Sequence, residues 1–497
     1  MFKNIKIQLS LLLVLLMTYG CVSDEGNYDY EAINEPNVTG LAEEYTAYTG
    51  DYFKITPKLN PTLDDGTDPN RYEYLWVAVN PTKLVSESRT TIGTTKDLDG
   101  ILKLPPAKYT VYYFIKDKVT GVNWQQTAFT LNVVSSIYEG WLVLGDVDGK
   151  ARLDMVSIIP NVATPRIVIN ALDAAGSALK LSGKAVNVYC VSQALSGTNT
   201  YGIYVTASES GTARLDPDSF GWAQSQNIAY ETVGGALPTN FGVDFMKSPA
   251  GGENFLYSNG NIYCYYRTFQ IKYGLPQNKV DNESKDFYAA PFIAENRGSL
   301  GSPIFYDKNA RRFVRYSMSK STCSVMPPVV ASPTVLDWNN TNCDLVYMTT
   351  SAFNSYENFA VLKNISTGKF HLVRFTTGLA QVYYKEILNA PDFDKATKFA
   401  VSPDSGYLFY VVGNKLYEYD NGTQSAKLML DKGTEEITYI GFHSGAAKGL
   451  TNKLTVGSYS TTGKLELFTV PPVNGDLVLE KSYSGLCKIV DVAYRFR

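Results

Sequence analysis

The chain is short of the residues that carry most enzyme chemistry. Among 497 residues there are only two histidines, His371 and His443. They are too far apart for an HExxH helix or any local metal pair, which removes the common zinc-hydrolase arrangements. His371 sits in a strand pattern and reads as a structural imidazole, and His443 follows a strand end as a lone ring. No Gly-x-Ser-x-Gly elbow, Walker loop or Gly-x-Gly-x-x-Gly turn occurs, so hydrolase-elbow and nucleotide chemistry are unsupported. The six cysteines form no CxxC pair and show no zinc spacing. A formal charge of −3 without a basic block argues against nucleic acid as a partner. Neither a metal nor a cofactor is expected.

What the chain has in excess is tyrosine, 36 residues beside 23 phenylalanines. Tyrosine suits sheet faces with a wet edge, because the ring packs while the hydroxyl finds a partner. The stretch Lys398–Asp420 shows how the rings are used. Tyr407–Val412 is an aromatic and β-branched run, Gly413-Asn414 makes a two-residue turn, and Lys415–Tyr419 returns with alternating polarity. Lys398–Val401 and Ala426–Leu430 supply a strand on either side. Similar hairpins recur from Trp141 onward, at roughly 50 residues per unit, within the range of propeller blades. Residues 138–497 are therefore expected to form a β-propeller of seven blades. The first unit opens at Trp141 without a strand before it, and the chain ends on the unpartnered strand Lys488–Phe496. That last strand is expected to complete the first blade and close the ring.

The N-terminus is read separately. Lys3 and Lys6 precede the apolar run Leu9–Met17, so residues 1–20 read as a secretory signal peptide, too short for a permanent span. Gly20-Cys21 resembles the lipobox of bacterial lipoproteins, which implies lipidation at Cys21. Ser23, Asp24 and Glu25 follow at once and resemble the acidic signal that exports lipoproteins of Bacteroidota to the outer face of the outer membrane. Residues 21–36 read as a lipidated tether. Among the remaining cysteines, Cys323 and Cys343 flank a Pro-rich loop and are the candidate pair for a disulfide, which would contribute about 3 kcal/mol on chain-entropy grounds; an odd number of cysteines leaves at least one thiol unpaired.

Residues 37–135 read as an immunoglobulin-like β-sandwich with Trp76 as its core tryptophan. Leu104-Pro-Pro-Ala-Lys-Tyr109, leading into an alternating strand that ends at Asp117, resembles the late strand of the polycystic-kidney-disease (PKD) repeat. Leu75-Trp76-Val77 stands where such repeats carry their Trp-Asp-Phe-Gly-Asp-Gly signature, so no metal or sugar role transfers. Cys21, the following Gly26-Asn-Tyr-Asp-Tyr30, the PKD-like sandwich and the repetitive β C-terminus ending Ile489–Tyr494 together resemble the PKD-like lipoproteins of Bacteroidota. The resemblance implies a lipid-anchored accessory protein on the extracellular face of the outer membrane. Its implied partner is a SusCD-like importer, a TonB-dependent barrel with a lid lipoprotein. It brings no catalytic residues to transfer.

Candidate chemistry falls into two classes. Propeller glycosidases need two acids about 5–9 Å apart; Asp146, Asp148, Asp244, Asp344 and Asp491 stand at strand ends, but no spacing selects a pair. Binding is better supported, because loops of a rigid scaffold carry function. The longest irregular stretches, Phe220–Met246, Lys272–Asn296, Ser319–Asn342 and Thr376–Pro391, carry Trp222, Tyr288, Trp338, Tyr383 and Tyr384, with Arg297 nearby. These are the expected contacts for a glycan or an oligopeptide. The expectation is a non-catalytic protein that captures or presents an oligomeric nutrient to the importer. The alternatives are a propeller hydrolase or lyase, and a purely structural subunit of the importer complex.

Overall fold

The computed structural model describes residues 32–160, 162–192, 200–233, 237–249, 252–296, 302–443 and 449–496. Cys21, Ser23, Asp24, Glu25 and Arg297 lie outside the described residues. The chain divides into two compact units, with the boundary between Val134 and Ser135. In both, the regular secondary structure is almost wholly β-strand. No helix among the described residues is long and apolar enough to cross a membrane.

In the first unit, Tyr72–Val79 buries Tyr72, Trp76 and Ala78 and turns Glu73 and Leu75 outward, as a strand with one packed face does. It is the fourth strand of a sheet that runs Glu44–Tyr48, Phe129–Val134, Ala107–Asp117, Tyr72–Val79, Arg89–Gly93. The Glu44–Tyr48 and Phe129–Val134 pair is parallel. Tyr52–Ile55 and Leu98–Ile101 form a second, two-stranded sheet, and both sheets share one core. Trp76 is fully buried there, stacked 3.9 Å from Tyr113. Its Nε1 donates to the Thr95 carbonyl at 2.9 Å. The Tyr109 hydroxyl donates to the Pro105 carbonyl at 2.9 Å, the back-bond of a tyrosine corner.

The expected tether boundary at residue 36 falls inside this packing. Asn34 is buried, and its Nδ2 donates to Asp64 and to the Tyr72 hydroxyl, each at 2.7 Å. Thr62 donates its backbone N–H to the Glu35 carbonyl. A short polar segment reads as solvated until its partners, 27 and more residues downstream, fold beneath it.

The second unit contains seven antiparallel sheets among the described residues. The first joins Arg166–Val168, Lys150–Ile158 and Glu139–Val147 to the C-terminal strand Lys488–Arg495. The second sheet is Ala185–Ser192, Thr200–Ala207, Gly211–Leu215, and the third is Phe245–Lys247, Glu253–Ser258, Asn261–Tyr266. The fourth is Ile304–Asp307, Arg312–Ser317, Thr322–Val325. The fifth is Cys343–Ser351, Glu357–Asn364, Phe370–Thr376, Gln381–Glu386. The sixth is Lys398–Val401, Leu408–Val412, Lys415–Asp420, Ser425–Asp431. The seventh is Glu436–Phe442, Leu454–Tyr459, Gly463–Thr469, Val478–Leu486.

Turn chemistry fixes the hairpins. Val147 pairs with Lys150 across Asp148 (φ +51°) and Gly149 (φ +76°), the two positive φ values of a type I′ turn. The C-terminal strand needs a glycine opposite it. A Cβ on Gly145 would stand 2.2 Å from the Lys488 carbonyl oxygen, and the register shifts at that point.

The apolar faces of the seven sheets pack in sequence. One cluster joins the first and second sheets, another the second and third, and so on to the sixth and seventh. A last cluster, with Trp141, Val156, Leu465, Leu467 and Tyr494, joins the seventh sheet back to the first. Asp154 locks the same junction. Fully buried, it accepts Arg152 Nε and Nη2, both at 2.8 Å, and the backbone N–H groups of Asn170 and Cys487, both at 2.9 Å.

Two expectations are corrected. Cys323 and Cys343 are free thiols in different inter-sheet clusters, so they form no disulfide. Each is held by its own strand pairing, opposite Tyr316 and Asn364, and burial pushes the Cys343 thiol up to about 11. The stretches 319–342 and 376–391 are not wholly irregular either, since they contain the outermost strands Thr322–Val325 and Gln381–Glu386. An outermost strand has one neighbour and two half-wet faces, so its sequence lacks a clean alternation.

Candidate functional site: a cavity where the leading strands converge

The leading strands of the sheets adjoin one another. Lys488–Arg495 lies against both Ala185–Ser192 and Glu436–Phe442; Lys398–Val401 lies against both Cys343–Ser351 and Glu436–Phe442. In the fourth sheet the matching position is taken by the segment that bridges through Ala294 and Ile304. Its next residue, Glu295, donates its backbone N–H to Thr350 Oγ1 at 2.8 Å. Cys343–Ser351, Lys398–Val401, Glu436–Phe442 and Glu295 border a cavity of about 290 Å³, lined by Glu295, Tyr347, Thr349, Tyr356, Phe399 and Phe442 among others.

Aromatic rings and hydroxyl groups both line it. Tyr347 stacks on Phe399 with centroids 5.4 Å apart and meets Phe292 edge-on at 5.7 Å. Burial raises the Tyr347 hydroxyl to about 12, so it stays a neutral donor. Thr350 Oγ1 also donates to Asn358 Oδ1 at 2.7 Å, fixing the strand edge. A planar or ring-shaped polar ligand would find stacking faces and hydrogen-bonding edges together.

Outside this cavity, the leading strands and their ends carry ionisable groups that a buried strand usually lacks. Asp491 accepts Asn187 Nδ2 at 2.7 Å and the Val188 N–H at 2.9 Å. Burial nevertheless raises its carboxyl to about 6. His443 lies 5.0 Å from the Trp141 ring and shares a 3.0 Å hydrogen bond with the Tyr439 hydroxyl. Burial lowers its imidazole to about 4, so it is neutral near pH 7. Lys247 donates to the Ile293 carbonyl at 2.8 Å, and burial lowers its ammonium pKa.

The aromatic residues expected to form a site do not meet. Trp338 is fully buried between the fourth and fifth sheets, its Nε1 donating to the Pro327 carbonyl at 2.8 Å. Trp222 is half-buried against the first inter-sheet cluster and donates to Asn227 Oδ1 at 3.1 Å. Tyr288 is exposed and covers Gly260, with Lys308 Nζ 5.1 Å from its ring. Tyr383 donates to the Asn421 carbonyl at 3.1 Å, and its strand neighbour Tyr384 faces the other way, packed near His371 at 5.4 Å. Large rings in connecting stretches serve mainly as caps between sheets. The candidate acids are equally scattered. Asp146 accepts the Ala185 N–H, Asp244 the Asn259 N–H and Asp344 the Arg311 Nε.

Tyr347, Thr349, Tyr356, Phe399 and Phe442 were missed because most lie on strands, where aromatic residues read as core. The available signal was a polar or aromatic residue in the leading strand of four of the sheets, Asn187, Tyr347, Tyr439 and Asp491, of which Tyr347 lines the cavity. Among the described residues no group of three or more His, Cys, Asp or Glu side chains is placed to hold a metal.

No curated protein matches this chain. Its fold is similar to a quinonprotein alcohol dehydrogenase-like protein from Bacteroides thetaiotaomicron, at 11% identity over 93% of this chain and 100% of that one, with TM-score 0.44. It is also similar to a candidate 6-phosphogluconolactonase from Bacteroides uniformis (11% identity, 85% and 99% covered, TM-score 0.37). A third similar structure is cobalt-substituted Synechocystis ACO (10% identity, 86% and 93% covered, TM-score 0.37). A likeness at this level says nothing about activity. Residues 21–172 match the PKD-like family, a stretch that contains the sandwich and runs into the first sheet of the second unit.

Proposed function

We propose that the second unit is a seven-bladed propeller closed by its C-terminal strand. We further propose that the protein is a non-catalytic lipoprotein, anchored through Cys21 on the outer face of the outer membrane. There it captures an oligomeric nutrient, glycan or peptide, for a SusCD-like importer. The ring reading is supported by the cyclic order of the inter-sheet clusters, ending with the one that returns to the first sheet. The anchor reading is supported by the Gly20-Cys21 junction with its acidic follower and by the match to the PKD-like family.

The observation that carries the binding role is the cavity of about 290 Å³ walled by Tyr347, Phe399, Phe442 and hydroxyl groups. Aromatic faces beside fixed hydroxyls suit repeating polar units better than a single charged metabolite. The test is a glycan and peptide array with the mature protein, beside a pull-down of its membrane partners. Binding that Tyr347→Ala or Phe399→Ala weakens about tenfold or more supports the reading, stacking being worth roughly 0.5–1.5 kcal/mol beyond burial. Turnover of a polymer overturns the non-catalytic part, and co-purification with the importer without any ligand favours a structural subunit.

A further inference from the structure

The third and fifth sheets share a repeated sequence, Glu253-Asn254-Phe255 and Glu357-Asn358-Phe359, at the start of equivalent strands. The equivalence is structural as well. Ser248 Oγ bonds Asn254 Oδ1 at 3.0 Å, as Thr350 Oγ1 bonds Asn358 Oδ1 at 2.7 Å. One position differs. Opposite Phe359 stands Arg374, and opposite Phe255 stands Cys264.

In the fifth sheet that arginine satisfies the glutamate. Arg374 Nε and Nη2 donate to Glu357 Oε2 at 2.9 and 2.7 Å, and Nη1 reaches Asn421 Oδ1 at 2.7 Å in the next sheet. In the third sheet Glu253 is 1% exposed, and neither carboxylate oxygen has a hydrogen-bond partner among the described residues. Directly opposed residues, and those two apart, share a sheet face. Glu253 and Cys264 therefore lie on the face that packs toward the fourth sheet, with Phe255 and Tyr316.

A cavity of about 310 Å³ opens beside the missing arginine. Cys264, Tyr266, Leu275, Gln277, Tyr316 and Met318 line it. Lys272 also lines it, but its Nζ is engaged with the Tyr230 carbonyl at 3.1 Å. Burying a carboxylate without a donor costs several kcal/mol unless the group is neutral or paired, and burial does raise the Glu253 pKa. The fifth sheet shows which chemistry relieves such a position: a planar guanidinium between the glutamate and the neighbouring sheet.

We infer that this cavity is a binding site for a guanidinium-bearing ligand, whose cation passes Cys264 to pair with Glu253 while its alkyl part lies on Leu275 and Met318. Tyr316 and Gln277, joined by a 3.1 Å hydrogen bond, form the polar wall opposite. The site is separate from the cavity between the leading strands and does not depend on the role proposed for that cavity.

The test uses agmatine and an arginine tripeptide as probes against the full mature chain, with urea as the neutral planar control. Calorimetry should show saturable binding of at least one cation, with a thermal shift that rises with its concentration, and none for urea. Agmatine alone marks a small-molecule site, and the tripeptide alone a peptide side-chain site. Glu253→Gln should weaken binding about tenfold or more, as expected for losing a charge-assisted pair. Cys264→Arg should install the missing partner, abolish probe binding and melt higher than the size control Cys264→Met. No binding by either cation, together with a Cys264→Arg variant that melts no higher than Cys264→Met, would overturn the inference. Binding unchanged in Glu253→Gln overturns it as well.

Discussion

The two units solve the problem of burying β-sheets in opposite ways. The sandwich gathers its apolar side chains into one cluster around Trp76 and Tyr113. The second unit divides its own among seven clusters, each shared by two sheets. A single core fails at once when its centre is removed. A series of interfaces fails locally, unless the damage falls where the first and last strands of the unit meet. Cooperativity in the second unit therefore rests on the junction of Glu139–Val147 with Lys488–Arg495 more than on any one large side chain.

The sharpest way to break the contrast is to remove that junction. A chain ending at Leu486 should lose the cooperative melt of the second unit entirely while the sandwich transition remains, as read by calorimetry and limited proteolysis. Asp154→Ala should act in the same place with less force. It strands Arg152 and the Cys487 N–H and should cost about 3–5 kcal/mol, with hydrogen exchange fastest in Lys488–Arg495.

A matched pair of tryptophans sharpens it further. Trp76→Ala and Trp338→Ala should each cost about 3–5 kcal/mol locally. The first should unfold the sandwich at 37 °C, whereas the second should leave the other interfaces intact, with near-UV circular dichroism largely retained.

The pH dependence of the second unit tests its interior. The Asp491 carboxyl is raised from 3.8 to about 6, so the native state holds this proton more tightly than the unfolded state. Its contribution is present below pH 4 and lost as pH rises through 6. The His443 imidazole is lowered from 6.5 to about 4, so its contribution is present above pH 6.5 and lost as pH falls through 4. The two slopes oppose, each worth roughly 3 kcal/mol at full displacement. Glu418, raised to about 7 by burial, adds to the Asp491 slope, so the two groups are read from each variant's curve relative to that of the native chain. Between pH 4 and 6 the Asp491→Asn curve should rise with pH relative to the native one, and the His443→Phe curve should fall relative to it. Parallel curves for all three proteins would discard this account.

The smallest effect should come from the turn in the sixth sheet. Gly413 sits at φ +58° between the paired residues Val412 and Lys415, and Gly413→Ala should cost about 1 kcal/mol in urea titrations without moving any other sheet.

Much of the architecture was readable because its rules are local. Tyr407–Val412, Gly413-Asn414 and Lys415–Tyr419 announce a hairpin through β-branched runs and turn residues, and the structure places strands at Leu408–Val412 and Lys415–Asp420. The pairing of the last strand with the Trp141 hairpin was readable from a missing partner at one end and a surplus strand at the other. Outer strands such as Gln381–Glu386 were not, since half-wet faces blur the period. Nor was the placement of aromatic residues. Trp338 looks like a loop contact in sequence and is a buried wedge in the fold, while Phe399 looks like core and lines a cavity.

The sequence alone determined the β periodicity, the turns, the repeat and the two ends left to find each other, because each depends on neighbours a few residues away. Only the tertiary structure decided which side chains face a cavity, that Cys323 and Cys343 stay apart, and that Glu253 lacks the arginine its counterpart has. Those outcomes depend on how one sheet stacks upon the next, a relation between residues distant in the chain.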